Sequence, residues 1–431
     1  MQERFDAIVV GAGLAGLSAA YVMARAGLNV AVIERGDFPG AKNVMGGILY
    51  RQPTEKVYPN WWREAPVERP ITEQRVWVLT ADSMVTFGYK SKRFAEEPYN
   101  AFTVLRARFD RWFAEKVVQA GALLVTETVV EDVIRKNGQI VGVRTNREEG
   151  DLYADVVIAA DGVNSLLSKK VGLHPELPPD RVALATKEII ALERSKIEDR
   201  FGLEPGEGTA IELFGDATLG MLGYGFIYTN QDSLSVGVGV LLSDLIKRKV
   251  SPNDLQERLK AHPMVRRLLQ GGELKEYMAH LIPEGGYDRI PTLYTDGYLV
   301  VGDAAGMVNG LFREGSNFAC ISGKLAAQTV LYAKERGDFS ARTLARYQDL
   351  LNQSFIIRDL KGYARVSRYV HENPALLTEY PQLMADAAHD LMTVDGVPKR
   401  DKLLGIVRKT LGRRSPWRIA RDVVGGIRAI P

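Results

Sequence analysis

A single cysteine, Cys320, and five histidines are all that the chain offers as soft metal ligands or disulfide partners. One thiol cannot form an internal disulfide, nor by itself hold an iron-sulfur cluster or a structural zinc. The fold must therefore rest on packing, and a reducing compartment suits it. Long apolar runs are missing too. None approaches the ~20 residues that span a bilayer, so any membrane contact is expected to be peripheral. The N-terminus carries no basic segment ahead of an apolar core, and glycines break its first apolar run. It reads as strand, turn and helix, not as an export signal. His174, His262, His280, His371 and His389 are scattered and suggest no catalytic dyad. No recognition module for nucleic acid is present. At 431 residues the chain exceeds what one core usually absorbs, which predicts interleaved domains or a domain with an appendage.

Acidic charge is scarce at one end. Residues 399–431 hold ten of the 56 Lys and Arg but only two of the 53 Asp and Glu, so without them the net charge falls from +3 to −5. Leu403, Leu404, Val407 and Leu411, then Trp417, Ala420, Val424 and Ile427, recur there at helical spacing. Such a segment suits anionic headgroups, an acidic partner, or packing on its own domain.

What is present begins at residue 6. "DAIVV" (Asp6 to Val10) predicts a buried parallel strand, and 14–26 predicts a helix stopped by Gly27. Gly11, Gly13 and Gly16 lie between them. The first permits a tight turn, the second lets backbone approach a pyrophosphate, and the third lets helix and strand pack while the helix N-terminus faces negative charge. "LNVAVIE" then supplies a second strand ending at Glu34, where an acid accepts hydrogen bonds from an adenosine ribose and argues against a 2′-phosphate. A dinucleotide is the expected ligand.

After Gly121 a three-strand meander is predicted, with Asn137-Gly138 as a hairpin turn and a strand over 156–160 leading to Asp161-Gly162. Later, "GYLVVGDAAGMVNGLFREGSNFACISGKLAAQ" runs from a strand through Gly302-Asp303 into a long helix starting near Gly315. This ordering, over most of residues 5–335, resembles the FAD-dependent family that includes aromatic hydroxylases, geranylgeranyl reductases and electron-transfer-flavoprotein:quinone oxidoreductases. The resemblance implies FAD. Asp303 would accept a hydrogen bond from a ribitol hydroxyl. The helix starting at Gly315, Ser316 and Asn317 would aim its positive end at the flavin pyrimidine edge. Arg106, ahead of a helix expected over 109–120, would sit near the FAD phosphate or ribose or make a surface ion pair. Ala15, Arg35, Val130, Asp161, Gly162 and Gly302 complete the expected cofactor contacts.

"GDAAGMVNGLFREGSNFACISG" (302–323), "GAKNVMGGILY" (40–50) and "DGVNSLLSKKVGL" (161–173) closely resemble FixC-type members of the electron-transfer-flavoprotein:quinone oxidoreductase family. That resemblance implies Gly46 and Gly47 against the isoalloxazine. It also implies a two-subunit electron-transfer flavoprotein, a small ferredoxin-like iron-sulfur subunit replacing the four-cysteine module of larger relatives, and membrane quinone as acceptor. A cytoplasmic protein peripheral on the inner face of the cell membrane follows, within a complex that oxidises NADH and whose partner chains decide whether electrons are bifurcated. Tyr224, Phe226 and Tyr228 would wall a quinone channel or form strand core.

Two other enzymes share the fold. A geranylgeranyl reductase has the Gly223-Tyr224-Gly225 opening, but its usual continuation places Trp at Phe226 and Pro at Thr229. An NADPH-dependent hydroxylase would have arginine at Ser168, which Lys169 and Lys170 follow. A non-catalytic flavin-bearing assembly subunit is the alternative of another class.

The expected fold is α/β: a Rossmann-like FAD-binding domain of the glutathione-reductase/hydroxylase type, interleaved with an antiparallel-sheet quinone domain and a helical C-terminal segment. The expected limits are 1–45 with 101–176 and 285–335, then 46–100 with 177–284, then 336–431.

Overall fold

Short, fully apolar runs flanked by turns become the centre of a parallel sheet, because both of their faces are covered. In the computed structural model, which describes residues 4–41 and 47–430, the strands Arg4–Val10 and Val30–Ile33 pair in parallel. The sheet order is Tyr294–Thr295, Tyr298–Val300, Asp151–Ala159, Arg4–Val10, Val30–Ile33, Leu123–Val125. The antiparallel hairpin Val130–Lys136 and Gln139–Thr145 attaches through the Asp151–Ala159 strand. Asn137 and Gly138 both take positive φ, +51° and +85°, the geometry of the two-residue turn that Asn-Gly favours.

The chain forms two compact units. The first comprises Met1–Pro70, Pro98–Val182 and His280–Lys361; the second comprises Ile71–Glu97, Ala183–Ala279 and Gly362–Pro431. Residues 4–41, 101–176 and 285–335 lie in the first unit, which also takes residues 47–70, because Ile48–Tyr50 pairs with Ala101–Val104. The region 336–431 is divided between the units after Lys361. Leu344, Tyr347 and Leu351 are buried in the core of the first unit and hold 336–361 there.

Within the first unit, the opening helix Leu14–Arg25 lies against the helix Ser316–Arg336. Gly323 permits this approach, since a Cβ on it would overlap the Ala15 carbonyl oxygen. Cys320 is fully buried at the same crossing. The helix expected from Phe109 begins at Arg106. Arg106 donates to Asp110 one turn on, which favours helix from that residue.

The second unit is built on a sheet that mixes antiparallel and parallel pairing. Gly223–Thr229 and Ser233–Leu241 form adjacent antiparallel strands, and Gly208–Gly215 runs parallel to residues 71–79. Its core includes Trp77, Leu213, Ile227 and Val236, with Ile197, Leu255 and Val265 from the helices over them. Towards the C-terminus, Arg414 donates to Asp422 (Nε to Oδ2, 2.9 Å) and to Glu379 (2.7 Å), tying the helices Ala375–Met392 and Pro416–Ala429 together. The helices Lys399–Arg413 and Pro416–Ala429 leave Leu403, Leu404, Val407, Leu411, Trp417, Val424 and Ile427 exposed. No described helix is long and apolar enough to cross a membrane.

Candidate cofactor site

The three opening glycines answer to different demands. Gly11 takes φ +103°, and a Cβ there would overlap the Ala160 carbonyl; one on Gly16 would overlap the Gly11 carbonyl. Both are required by the fold itself. Gly13 is different: a Cβ on it meets no protein atom within 4 Å. It caps the helix Leu14–Arg25, so the open space lies at the end where unpaired amides point. Ala15, buried in the first turn, packs near Gly302.

Glu34 follows directly on the second strand, which ends at Ile33. Its carboxylate braces the loop, accepting the Ala12 amide (2.8 Å) and the Gly36 amide (2.7 Å). Each oxygen keeps a second acceptor position. Arg35 beside it is exposed, and Val130 starts the hairpin opposite Thr145.

Two further loops meet this one. The Ala160 amide donates to the Val10 carbonyl, fixing Asp161-Gly162 beside the glycine loop. Ser165, fully buried, donates from Oγ to the Ala304 carbonyl (2.8 Å), fixing the same loop against the turn Gly302–Ala305. Asp161 accepts the Leu167 amide on Oδ2, while its buried Oδ1 has no protein partner. Burial raises its pKa, opposed by that amide and by the charges of His174 and Arg35. Gly162 takes φ +72° with no atom near its Cβ position.

Gly302 also requires positive φ, +63°, and its amide donates to Ser322 Oγ (3.1 Å). Burial pushes Asp303 up to about 6, with Arg106 pulling the other way. Arg106 is buried in a paired fork with Asp110, at 2.7 and 2.9 Å, and is not at the surface. Gly315 caps the helix Ser316–Arg336, and buried Asn317 in its first turn leaves Oδ1 without a protein partner. Gly47 is buried, its carbonyl accepting the Val104 amide (3.0 Å); Gly46 lies outside the described residues. His280 feels Arg35 and Arg106, and burial chiefly lowers its pKa.

The first unit thus gathers the loops at 11–13, 160–165 and 302–305. Open space at Gly13 and the unpartnered acceptors on Asp161 and Asn317 fit a ligand with a pyrophosphate, sugar hydroxyls and a polar ring edge. FAD has all three. Tyr224, Phe226 and Tyr228 share one face of a strand in the second unit. Phe226 and Tyr228 are buried and stacked at 4.9 Å, whereas Tyr224 is half-buried. Among the described residues, no group of three or more His, Cys, Asp or Glu could hold a metal.

Sequence reasoning missed Asp110, Ser165 and Gly323, which hold these loops and helices. Only Asp110 had a signal, its four-residue spacing from Arg106.

Residues 6–169 match the FAD dependent oxidoreductase family, and residues 366–430 match the ETF-QO/FixC family C-terminal domain. Protein FixC of Azotobacter vinelandii is 46% identical over 431 residues, 100% of each chain. The probable electron transfer flavoprotein-quinone oxidoreductase YdiS of Escherichia coli K12 is 42% identical over 412 residues, 94% of this chain and 95% of that one. Among solved structures, a geranylgeranyl bacteriochlorophyll reductase-like protein from Thermoplasma acidophilum shares the fold. It has a TM-score of 0.74 and 21% identity, and the match covers 98% of this chain and 99% of that one.

Proposed function

The chain belongs to the electron-transfer-flavoprotein:quinone oxidoreductase/FixC family and is an FAD-dependent oxidoreductase, and on that premise we propose that it takes electrons from an electron-transfer flavoprotein and delivers them to membrane quinone. The observation that carries this reading is similarity along the whole chain to both FixC and a probable electron transfer flavoprotein-quinone oxidoreductase.

FAD, when bound, supplies a carrier that accepts an electron pair and passes it on. The residues of the first unit would hold it. Gly13 and the helix amides from Leu14 and Ala15 would receive the pyrophosphate, with Gly11, whose own amide donates to the Ile33 carbonyl, making the tight turn and Gly16 keeping the helix close enough. Glu34 would accept ribose hydroxyls on its remaining lone pairs, with Arg35 and Val130 at the adenosine end. Asp161 Oδ1 and Asp303 would accept hydroxyl hydrogen bonds, with Gly162 and Gly302 giving their loops the required turn. Gly315, Ser316 and Asn317 would present a positive helix end to the flavin pyrimidine edge, with Gly46 and Gly47 across from it. Arg106 would oppose negative charge on Asp303 and on the cofactor. In the second unit, Tyr224, Phe226 and Tyr228 are the candidates for quinone contact.

The partners in this reading are an NADH-oxidising two-subunit electron-transfer flavoprotein and a small ferredoxin-like subunit, in a complex that bifurcates electrons. One cysteine cannot hold an iron-sulfur cluster, which supports a separate cluster-bearing chain. The exposed apolar stripe among the basic residues of 399–430 supports peripheral contact with the anionic inner face of the cell membrane.

The test mixes NADH, the electron-transfer flavoprotein, this holoprotein and a short-chain menaquinone analogue under anaerobic conditions. Quinol should form only when the holoprotein is present. Equal quinol formation without it would remove the proposed role.

A further inference from the structure

Quinone reduction consumes protons as well as electrons, and the two carboxyls of the cofactor loops, Asp161 and Asp303, are already assigned to hydroxyls of the cofactor. The strand Glu273–Pro283 runs into another carboxyl. Glu284 follows it immediately, its amide donating to the Arg181 carbonyl (2.8 Å). Its carboxyl occupies the space over Gly310: a Cβ on Gly310 would lie 2.5 and 2.8 Å from the two carboxyl oxygens. Gly310 belongs to the loop between the turn Gly302–Ala305 and the helix that Gly315 caps. Glu284 therefore packs on the segment that joins two proposed flavin contacts, inside the first unit.

Three features of this carboxyl are unusual together. It accepts no hydrogen bond and forms no ion pair among the described residues. Part of its surface is accessible. Enough protein nonetheless packs around it to push its pKa up to about 7 by burial alone. The charged residues on the segments beside it are Asp180 and Arg181, Asp288 and Arg289, and Arg313 and Glu314; none of them contributes to that shift. Next to Gly310, buried Asn309 leaves Nδ2 without a protein partner, a donor that a carbonyl oxygen could take.

We propose that Glu284 is the proton donor to quinone, with Asn309 hydrogen-bonded to the same quinone and Gly310 required to be glycine so that the carboxyl can stand there. The inference rests on the quinone-reductase reading. The balance is quinone plus two electrons plus two protons giving hydroquinone. The electrons come from the electron-transfer flavoprotein by way of FAD. One proton comes from Glu284, whose O–H bond breaks as a quinone O–H bond forms. The second comes from water, which also reprotonates the Glu284 carboxylate. An acid that is accessible yet neutral near pH 7 meets the requirement that the donor be protonated and still willing to give.

The experiment compares wild-type holoprotein with Glu284→Gln and Gly310→Ala. In the wild type, infrared titration should show a protonated-carboxyl C=O band that disappears as pH rises through about 7. The band should be missing in Glu284→Gln, and in Gly310→Ala it should titrate at lower pH because the displaced carboxyl is better hydrated. Reoxidation of the reduced flavin by a short-chain menaquinone analogue should slow on the order of 100-fold in Glu284→Gln and lose its pH dependence near neutrality. Reoxidation by ferricenium, which takes electrons without protons, should be equal in wild type and Glu284→Gln. An unchanged quinone rate and pH profile in Glu284→Gln, beside a quinone-reactive wild type, would overturn the inference alone. So would the absence of a carboxyl band titrating near neutrality. A wild-type flavin that quinone does not oxidise would overturn the quinone reading and the inference with it.

Discussion

The helix Ser316–Arg336 and the two terminal helices solve opposite problems. In the first, 12 of 21 residues are buried, including Asn317, Cys320 and Gly323. In Lys399–Arg413 no residue is buried, and in Pro416–Ala429 only Asp422 and Ala429 are. Trp417 is 84% exposed and Ile427 67%. One helix is fixed by what it packs against inside its own unit. The others carry an apolar face that no described residue covers, the kind of exposed patch that marks an interaction surface.

The largest effect should come from the buried crossing. Gly323→Val would drive a side chain into the Ala15 carbonyl and separate two helices, at a cost of about 3 kcal/mol or more. Thermal denaturation should show a large loss of stability, or no folded protein. Gly13→Val sharpens the same contrast among glycines. No protein atom opposes its Cβ, so the apoprotein should melt like the wild-type apoprotein while the purified variant carries no flavin, read from its absorbance.

Glu284→Gln isolates a single buried charge. Its folded pKa of about 7 lies above the ordinary 4.5, so the wild type has full stability below 4.5 and loses it as pH rises through 7. The Gln variant should match the wild type at pH 4 and exceed it at pH 8, by about 1–3 kcal/mol. Denaturant titrations of the holoprotein at both pH values check the sign.

The smallest change in stability should come from the exposed stripe. Replacing Leu403, Val407, Trp417 and Ile427 by Ser should move stability by less than about 0.5 kcal/mol per site. The same variant should lose sedimentation with anionic vesicles while keeping its flavin. Retained sedimentation would mean that the apolar face is not the contact.

The comparison also explains what was readable in advance. The glycine loop, Glu34, Asp161-Gly162 and Gly302-Asp303 each sit in a local strand-turn pattern, and the Asn137-Gly138 hairpin announces itself in two residues. The amphipathic spacing of the tail was equally visible, because helical period is a local property. Gly323 was not readable as a packing residue, because its demand comes from Ala15, some 300 positions away in the chain. Glu284 and Gly310 are meaningful only as a pair that folding brings together. Glu34 was assigned a ribose alone, although its nearest obligations are the amides of Ala12 and Gly36, since backbone donors cannot be told from side-chain spacing. The same limit hid the burial of Arg106: its spacing to Asp110 could be seen, but not the protein packed around the pair.

The most direct measurement photoreduces the purified holoprotein without oxygen and follows flavin absorbance on adding either a short-chain menaquinone analogue or a geranylgeranyl substrate. The account predicts rapid reoxidation by the quinone and no reaction with the isoprenoid. Reoxidation coupled to saturation of the isoprenoid, with quinone inert, would contradict it.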